Sequence, residues 1–395
     1  MLRHLCFRWG LRLFFVGILA VMQLPIVYAG EAIKVQFAGF AFGGDHSTFG
    51  NRFPHSQRIN QRNEAEGGSQ LNSIALAQIG KVSIDGVAWV IGDLGKLDQG
   101  PALAMAMVLT RETVSIEQIG DMHKLVVDLA AEALFFDFKE QQVIASFPVV
   151  VQLRDVSSVP PDEATITARV QSIFDGSSGV SLFKELASSM KGMTVREKYK
   201  LRIGVREVQI EEPARNFMPT NLAKPGAAEQ WLAQSFSSYL VANQHVALVP
   251  YIKDSAIGNK MAGRFADGRV FSLTLPQPDY AVDLVLRGFK KVRYSENSAG
   301  SSWIYGAFSD IRVYEQLSQR EYFKGSLKQG ATKIVPASQK GTEDWPAFQE
   351  TLLKLYSDFS EQIGVADKDW VKSHSGDTSL VDSLKALNNI MEKCR

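Results

Sequence analysis

Pro278-Asp-Tyr-Ala-Val-Asp-Leu-Val-Leu-Arg-Gly-Phe-Lys-Lys-Val-Arg-Tyr294, then a polar Ser/Gly/Asn turn, then Ser302-Trp-Ile-Tyr-Gly-Ala-Phe-Ser-Asp-Ile-Arg-Val-Tyr314 and Arg320-Glu-Tyr-Phe-Lys-Gly-Ser-Leu327 read as consecutive long strands. In the middle run Trp303, Tyr305, Ala307, Ile311 and Val313 share one parity, and Asp310, Arg312 and Gln316 share the other. Side chains alternate across a strand, so this pattern predicts a meander with one dry and one wet face. Asp344 and Pro346 then open a helix whose stripe is Phe348, Leu352, Leu355, Tyr356, Phe359 and Ile363, suited to cover the dry face.

Working back from this meander, Leu201, Ile203 and Val205 alternate with Arg202 and Arg206 in a strand. Pro225 starts a helix along Ala228, Trp231, Leu232, Phe236, Tyr239 and Leu240. His245 to Pro250 reads as a short buried strand, and Ile257 to Asp267 as a Gly-rich loop. The first half repeats this order. Ile33 to Phe42 is a buried strand, and Gly43 to Ser69 reads as a polar loop. Leu71, Ile74 and Ala75 suggest a short helix, and Val87 to Ile91 a strand. A second meander follows, with Leu103, Met105, Met107 and Leu109, then Leu125 to Phe135, then Val143 to Leu153 facing a core, and a wetter face opposite that includes Asp128 and Glu132. Asp162 caps a helix striped by Ile166, Val170, Ile173 and Phe174.

The fold class is therefore α+β, with two related units, each a mainly antiparallel sheet covered by helices, and the shared order points to a tandem duplication. The expected boundaries are 1–29 for a signal peptide, 30–176 for the first unit, 177–198 for a connector, 199–364 for the second unit and 365–395 for an amphipathic helical tail. In that tail Leu380, Val381, Leu384, Leu387 and Ile390 make the stripe that packs on the body.

The chain has 395 residues, 45% of them hydrophobic and 22% charged, enough for two ordinary cores. Met1 to Arg12 is basic, Leu13 to Val27 is apolar, and Val27-Tyr28-Ala29 precedes a cut ahead of Gly30, which is the pattern of a secretory signal peptide. The apolar run is short for a membrane span and carries Pro25, so no stable span is expected after cleavage. The destination is the periplasm of a diderm bacterium, or secretion. Formal net charge is +1, and without the first 29 residues it becomes −2, which gives no electrostatic reason to bind nucleic acid. Cys6 leaves with the signal and Cys394 remains, so no internal disulfide forms; Cys394 is expected at an exposed terminus as an inert tail residue or an intermolecular bridge.

The strand Leu201 to Val205, the helix around Trp231 to Leu240, the short strand Val246 to Val249 and the Asp279-Tyr280 pair at the mouth of the meander form an order that resembles the α+β domain of the curli-secretion lipoproteins, the lipoprotein activators of penicillin-binding proteins and the TolB amino-terminal domain. The resemblance covers less than half of the chain. It implies an envelope protein that binds other proteins and assembles complexes. No cysteine stands at the cleavage point, so the acylated anchor of the lipoprotein members does not carry over.

Chemistry-bearing motifs are few. Asp45-His46-Ser47 follows a strand, where α/β enzymes place nucleophiles and bases, and His55 lies close by, which also raises a metal site. The segment is not a Gly-x-Ser-x-Gly elbow, and the histidine spacing is not that of a zincin helix. His123 and His245 sit at element ends, and the glycines from Gly258 to Gly268 lack the Lys-Ser/Thr of a phosphate loop. Trp303, Tyr305, Phe308 and Tyr314 suit a core better than a ligand platform, which leaves the outer-face residues Asp310 and Arg312 as a contact surface. The expectation is a non-catalytic binding or assembly factor whose partners are other envelope proteins, with no cofactor and no metal. Its binding candidates are Asp45, His46, His55, Asp310 and Arg312. The alternatives are an exported hydrolase using Asp45, His46 and Ser47, and a glycan-binding module.

Overall fold

A computed structural model describes residues 32–44, 46–61, 69–91, 103–220, 222–252, 260–266, 268–337 and 343–395. The signal segment and Asp45 lie outside the described residues. Two sheets flanked by helices make an α+β fold.

In the first unit, strands β1 (Ile33–Gly43), β2 (Val87–Val90), β3 (Leu103–Ile119), β4 (Met122–Asp137) and β5 (Gln142–Ser157) lie in the order β2-β1-β3-β4-β5. Helices α2 (Pro54–Gln61), α3 (Gln70–Ile79) and α4 (Glu163–Asp175) cover one face, where Ile166, Val170, Ile173 and Phe174 are all buried, and α5 (Leu182–Ser189) packs against β5. In the second unit, β6 (Ile203–Ile210), β9 (Tyr280–Asn297), β10 (Gly300–Glu315) and β11 (Glu321–Pro336) lie in the order β11-β10-β9-β6. Helices α7 (Ala227–Gln244), α8 (Trp345–Val365) and α10 (Leu380–Cys394) pack with it, α10 against α8 and β11. On β10 the expected parity holds: Tyr305, Ala307, Ile311 and Val313 are buried, Trp303 half-buried, and Asp310 and Arg312 face outward.

The two units share a topology and three of their bulges. In each, the first strand runs parallel to the first strand of the meander. Each also has a short extended segment parallel to that first strand on its other edge, β2 beside β1 and Leu248 beside Ile203. One residue is bulged out at matching places, Ala38 in β1 and Arg206 in β6, Thr110 in β3 and Arg287 in β9, Ile144 in β5 and Tyr322 in β11. Bulges interrupt a ladder and persist only where the surrounding structure holds them, so matching bulges mark matching positions. Val35 thereby corresponds to Ile203, Met105 to Val282, Ala131 to Ser309 and Val149 to Leu327.

Four sequence expectations are corrected. Residues 43–69 are not a plain loop. They contain α1 (Phe49–Arg52) and α2, anchored by Phe49, Phe53 and Ile59, all buried. The free N–H groups at the start of α2 find an acceptor outside the helix: the Glu112 carboxylate accepts from His55 N at 2.8 Å and Ser56 N at 3.0 Å. Residues Ile257 to Asp267 are not a Gly-rich loop either, because Lys260–Phe265 is strand β7, paired with β8 (Val270–Thr274). This hairpin joins the first sheet, β7 antiparallel to β1 and β8 bridged to β5 at Gln142–Thr274. A Cβ on Gly263 would fall 2.6 Å from the Phe42 carbonyl oxygen, so glycine alone permits the approach of β7 to β1. Because the hairpin covers Ala104, Ala106, Val108 and Leu134, that end of the first meander is buried on both faces and has no wet side. Finally, Cys394 is fully buried in the last turn of α10, and burial pushes its thiol up to about 12. The cysteine is therefore not at an exposed terminus.

Candidate functional site

Helix α7 crosses the outer face of the first sheet. Its buried residues lie on every side, including Trp231, Gln234, Phe236 and Leu240, because it packs against β5 on one flank and β6 and α8 on another. Past the hairpin and α7, a cleft of about 790 Å³ lies between the outer face of β3, β4 and β5 and helices α5, α7 and α8.

The cleft floor is charged. The bulge at Thr110 shifts parity in β3, and so turns Arg111, Thr113 and Ser115 toward the cleft while Glu112 points the other way to α2. Arg111 is 9% exposed and donates from Nη2 to Asp128 Oδ1 at 2.6 Å, but its Nε and Nη1 are buried without a partner. A buried N–H without an acceptor costs about 1–3 kcal/mol, more on a charged group, so these two N–H groups favour an acceptor at the cleft floor. Ser235 Oγ on α7 is likewise buried without a partner and lines the same cleft. Glu185 on α5 and Tyr239 on α7 complete the floor. Burial raises the Glu185 carboxyl, and burial, with the charges of Asp128 and Glu185, raises the Tyr239 phenol. Trp231 and Trp345, 5.4 Å apart between ring centroids, form part of the wall.

Beside the cleft, Glu132 is 3% exposed. It accepts from Ser146 Oγ and from Gln234 Nε2 at 3.2 Å, and Gln234 also donates to Thr110 Oγ1 at 2.6 Å. Burial pushes its carboxyl up to about 7, against the lowering effect of these hydrogen bonds. Because Gln234 belongs to α7, Glu132 ties the second unit to the first.

The residues singled out by sequence lie elsewhere. His46 is exposed in a 3-10 turn with its ring 5.3 Å from that of Phe49. His55 is buried, its Nδ1 3.2 Å from Thr167 Oγ1 and 3.8 Å from Glu163 Oε2, in a packed seam between α2 and α4. Asp310 and Arg312 share the outer face of the second sheet, Asp310 paired to Arg287 at 3.0 Å and Arg312 to Glu321 at 2.6 Å and Asp283 at 3.4 Å. Of the candidates among the described residues, the structure brings together Asp310 and Arg312, and Asp45 lies outside the described residues. Among the described residues no group of three or more His, Cys, Asp or Glu is placed to hold a metal, and no helix is long and apolar enough to cross a membrane. The cleft residues were missed because they come from elements far apart in the chain, β3, β4, β5, α5, α7 and α8. A signal did exist, in the charges of Arg111, Asp128 and Glu132 within otherwise apolar strands.

No protein-family model and no characterised protein matches the chain by sequence. Among solved structures it is similar to a minor lipoprotein from Acinetobacter baumannii at 11% identity, over 42% of this chain and 94% of that one, with a TM-score of 0.19.

Proposed function

We propose that this chain is an exported envelope protein that acts by binding an extended polypeptide segment of another envelope protein in the cleft, as an assembly factor and not as an enzyme. The observation that carries the reading is Arg111, a buried guanidinium with two unpaired N–H groups on the floor of an open cleft. Buried polar groups are almost always satisfied, so an unsatisfied pair at a cleft floor marks a place for an acceptor. A peptide carbonyl supplies one. Glu185 and Tyr239 face the same space and accept from peptide N–H groups, and the half-buried Trp345 indole, backed by Trp231, offers apolar surface for a side chain. The order β6, α7, Leu248, β9 to β11 and α8 supports the resemblance of the second unit to the curli-secretion, penicillin-binding-protein activator and TolB amino-terminal domains, and with it an assembly role. Export rests on the basic and apolar residues ahead of Gly30.

The test is a photo-crosslinker placed at Gln152 or Gln349 in the cleft, with Phe308 on the outer face of the second sheet as control, followed by mass-spectrometric mapping of what is captured. One defined segment of an envelope protein, captured from the cleft positions and lost in Glu185→Gln with Tyr239→Phe, is the expected result. Capture of glycan, or of nothing, from the cleft overturns it.

A further inference from the structure

The junction between the two units defines a contact that the chain can make again. Leu248 is bridged antiparallel to Ser146 of β5 and parallel to Ile203 of β6. The strands thus form one continuous run, β11-β10-β9-β6, then Leu248, then β5-β4-β3-β1-β2. Its two ends are β11 and β2, and among the described residues no strand pairs with the outer edge of either.

These ends are the two halves of the internal junction. Ile203 meets Leu248 as its counterpart Val35 meets Trp89, so Trp89 of β2 holds in the first unit the place of Leu248 in the second. Ser146 pairs with Leu134 as Lys324 pairs with Arg312, so Lys324 of β11 holds the place of Ser146. We propose that copies of this chain associate head to tail, with the free edge of β2 in one copy pairing antiparallel to the free edge of β11 in the next and Trp89 opposite Lys324.

The side chains suit this register. Residues 87–90 are Val-Ala-Trp-Val, all half-exposed, and the Lys324 side chain is 71% exposed. A lysine opposite a tryptophan on a shared sheet face makes a cation–π pair. Helices match as well. In the internal junction α7, which links β6 to Leu248, lies on the outer face of the first sheet, and its Gln234 bonds Glu132. The counterpart of Glu132 on the second sheet is Asp310. Helix α3 links β1 to β2 as α7 links β6 to Leu248, so α3 of the next copy lies over Asp310 and Arg312 and presents the exposed small residues Ser73 and Ala77. The contact joins two different surfaces and therefore builds rings or open chains, not two-fold dimers. It is independent of the cleft.

The test uses two proteins, Trp89→Cys and Lys324→Cys, mixed and oxidised, with the native Cys394 buried in both. The expected result is a disulfide-linked heterodimer from the mixture and none from either protein alone. In parallel, the unmodified protein is expected to sediment as species larger than one chain in a concentration-dependent way. Lys324→Pro, which removes an edge N–H without touching the core, is expected to sediment as a monomer with unchanged circular dichroism and melting. A monomer at every concentration overturns the proposal. So does a Lys324→Cys homodimer, which means two-fold edge pairing, or association that survives Lys324→Pro. Association lost in Lys324→Pro with no Trp89–Lys324 link places the contact off β2 and overturns it too.

Discussion

Ser146 and Leu248 exchange two backbone hydrogen bonds, Ser146 N to Leu248 O at 2.8 Å and Leu248 N to Ser146 O at 3.3 Å, and this single pair stitches the sheets of the two units together. The neighbouring Val249 N donates to Ile203 O at 3.0 Å, so the segment is held from both sides. Leu248→Pro removes one of these donors and reshapes a buried position, and is expected to cost about 3 kcal/mol or more. Urea unfolding followed by tryptophan fluorescence checks this. A midpoint within error of the unmodified protein would show that the stitch is incidental.

Glu132 gives the stability a defined pH dependence. Its folded-state carboxyl sits at about 7, against an ordinary value of 4.5, so the folded chain keeps a proton that the unfolded chain releases. Stability is therefore full below about 4.5, falls as pH rises toward 7 and is flat above it as far as this group is concerned. The lost stability is on the order of 3 kcal/mol. Glu112 is raised by burial too and acts with the same sign. Glu132→Gln is expected to flatten the profile between pH 5 and 7.5 and to raise the melting temperature at pH 8; an unchanged slope would remove Glu132 as its source.

Arg111 and Asp128 test the cost of a buried ion pair. Arg111→Met leaves Asp128 buried and uncompensated and is expected to lose about 3–5 kcal/mol. Arg111→Met combined with Asp128→Leu is expected to recover most of that loss. Denaturation of both variants settles the point, and a double variant as weak as the single one argues against it. Capture from the cleft is expected to stay lost in the double variant even though its fold is restored.

Cys394 is expected to be inert in the folded protein. Its thiol is buried and raised to about 12, so almost no thiolate exists at neutral pH. A thiol reagent such as Ellman's should react only after denaturant is added, and prompt reaction of the native protein would show that α10 leaves the body.

Gly263→Ala places a methyl against the Phe42 carbonyl and the Phe271 ring, within 2.6 Å and 2.5 Å. The hairpin must shift off β1, and hydrogen exchange of residues 260–265 should accelerate while β9 to β11 stay protected. Equal protection in both proteins would contradict the close approach.

Much of the fold was legible because its causes are local. Alternation on β10, the Asp162 cap and the stripe of α10 each depend on residues a few positions apart, and the structure keeps all of them. Residues 46–61 misled because their apolar anchors, Phe49, Phe53 and Ile59, are sparse and their cap is Glu112, far off in the chain. The β7–β8 hairpin misled for a related reason, since its pairing partners β1 and β5 lie in the other unit.

By itself the sequence determined which residues alternate, where the helices with local caps and stripes start and that two units repeat one order, because propensity, capping and periodicity act within a turn or a strand. Only the tertiary structure decided what covers each sheet, with α7 and the hairpin over the first outer face. That choice rests on edges and faces meeting across long loops, where the closing entropy is offset only by the complete junction, and no local pattern records it. The cleft at Arg111 and the free edges of β2 and β11 are products of that choice.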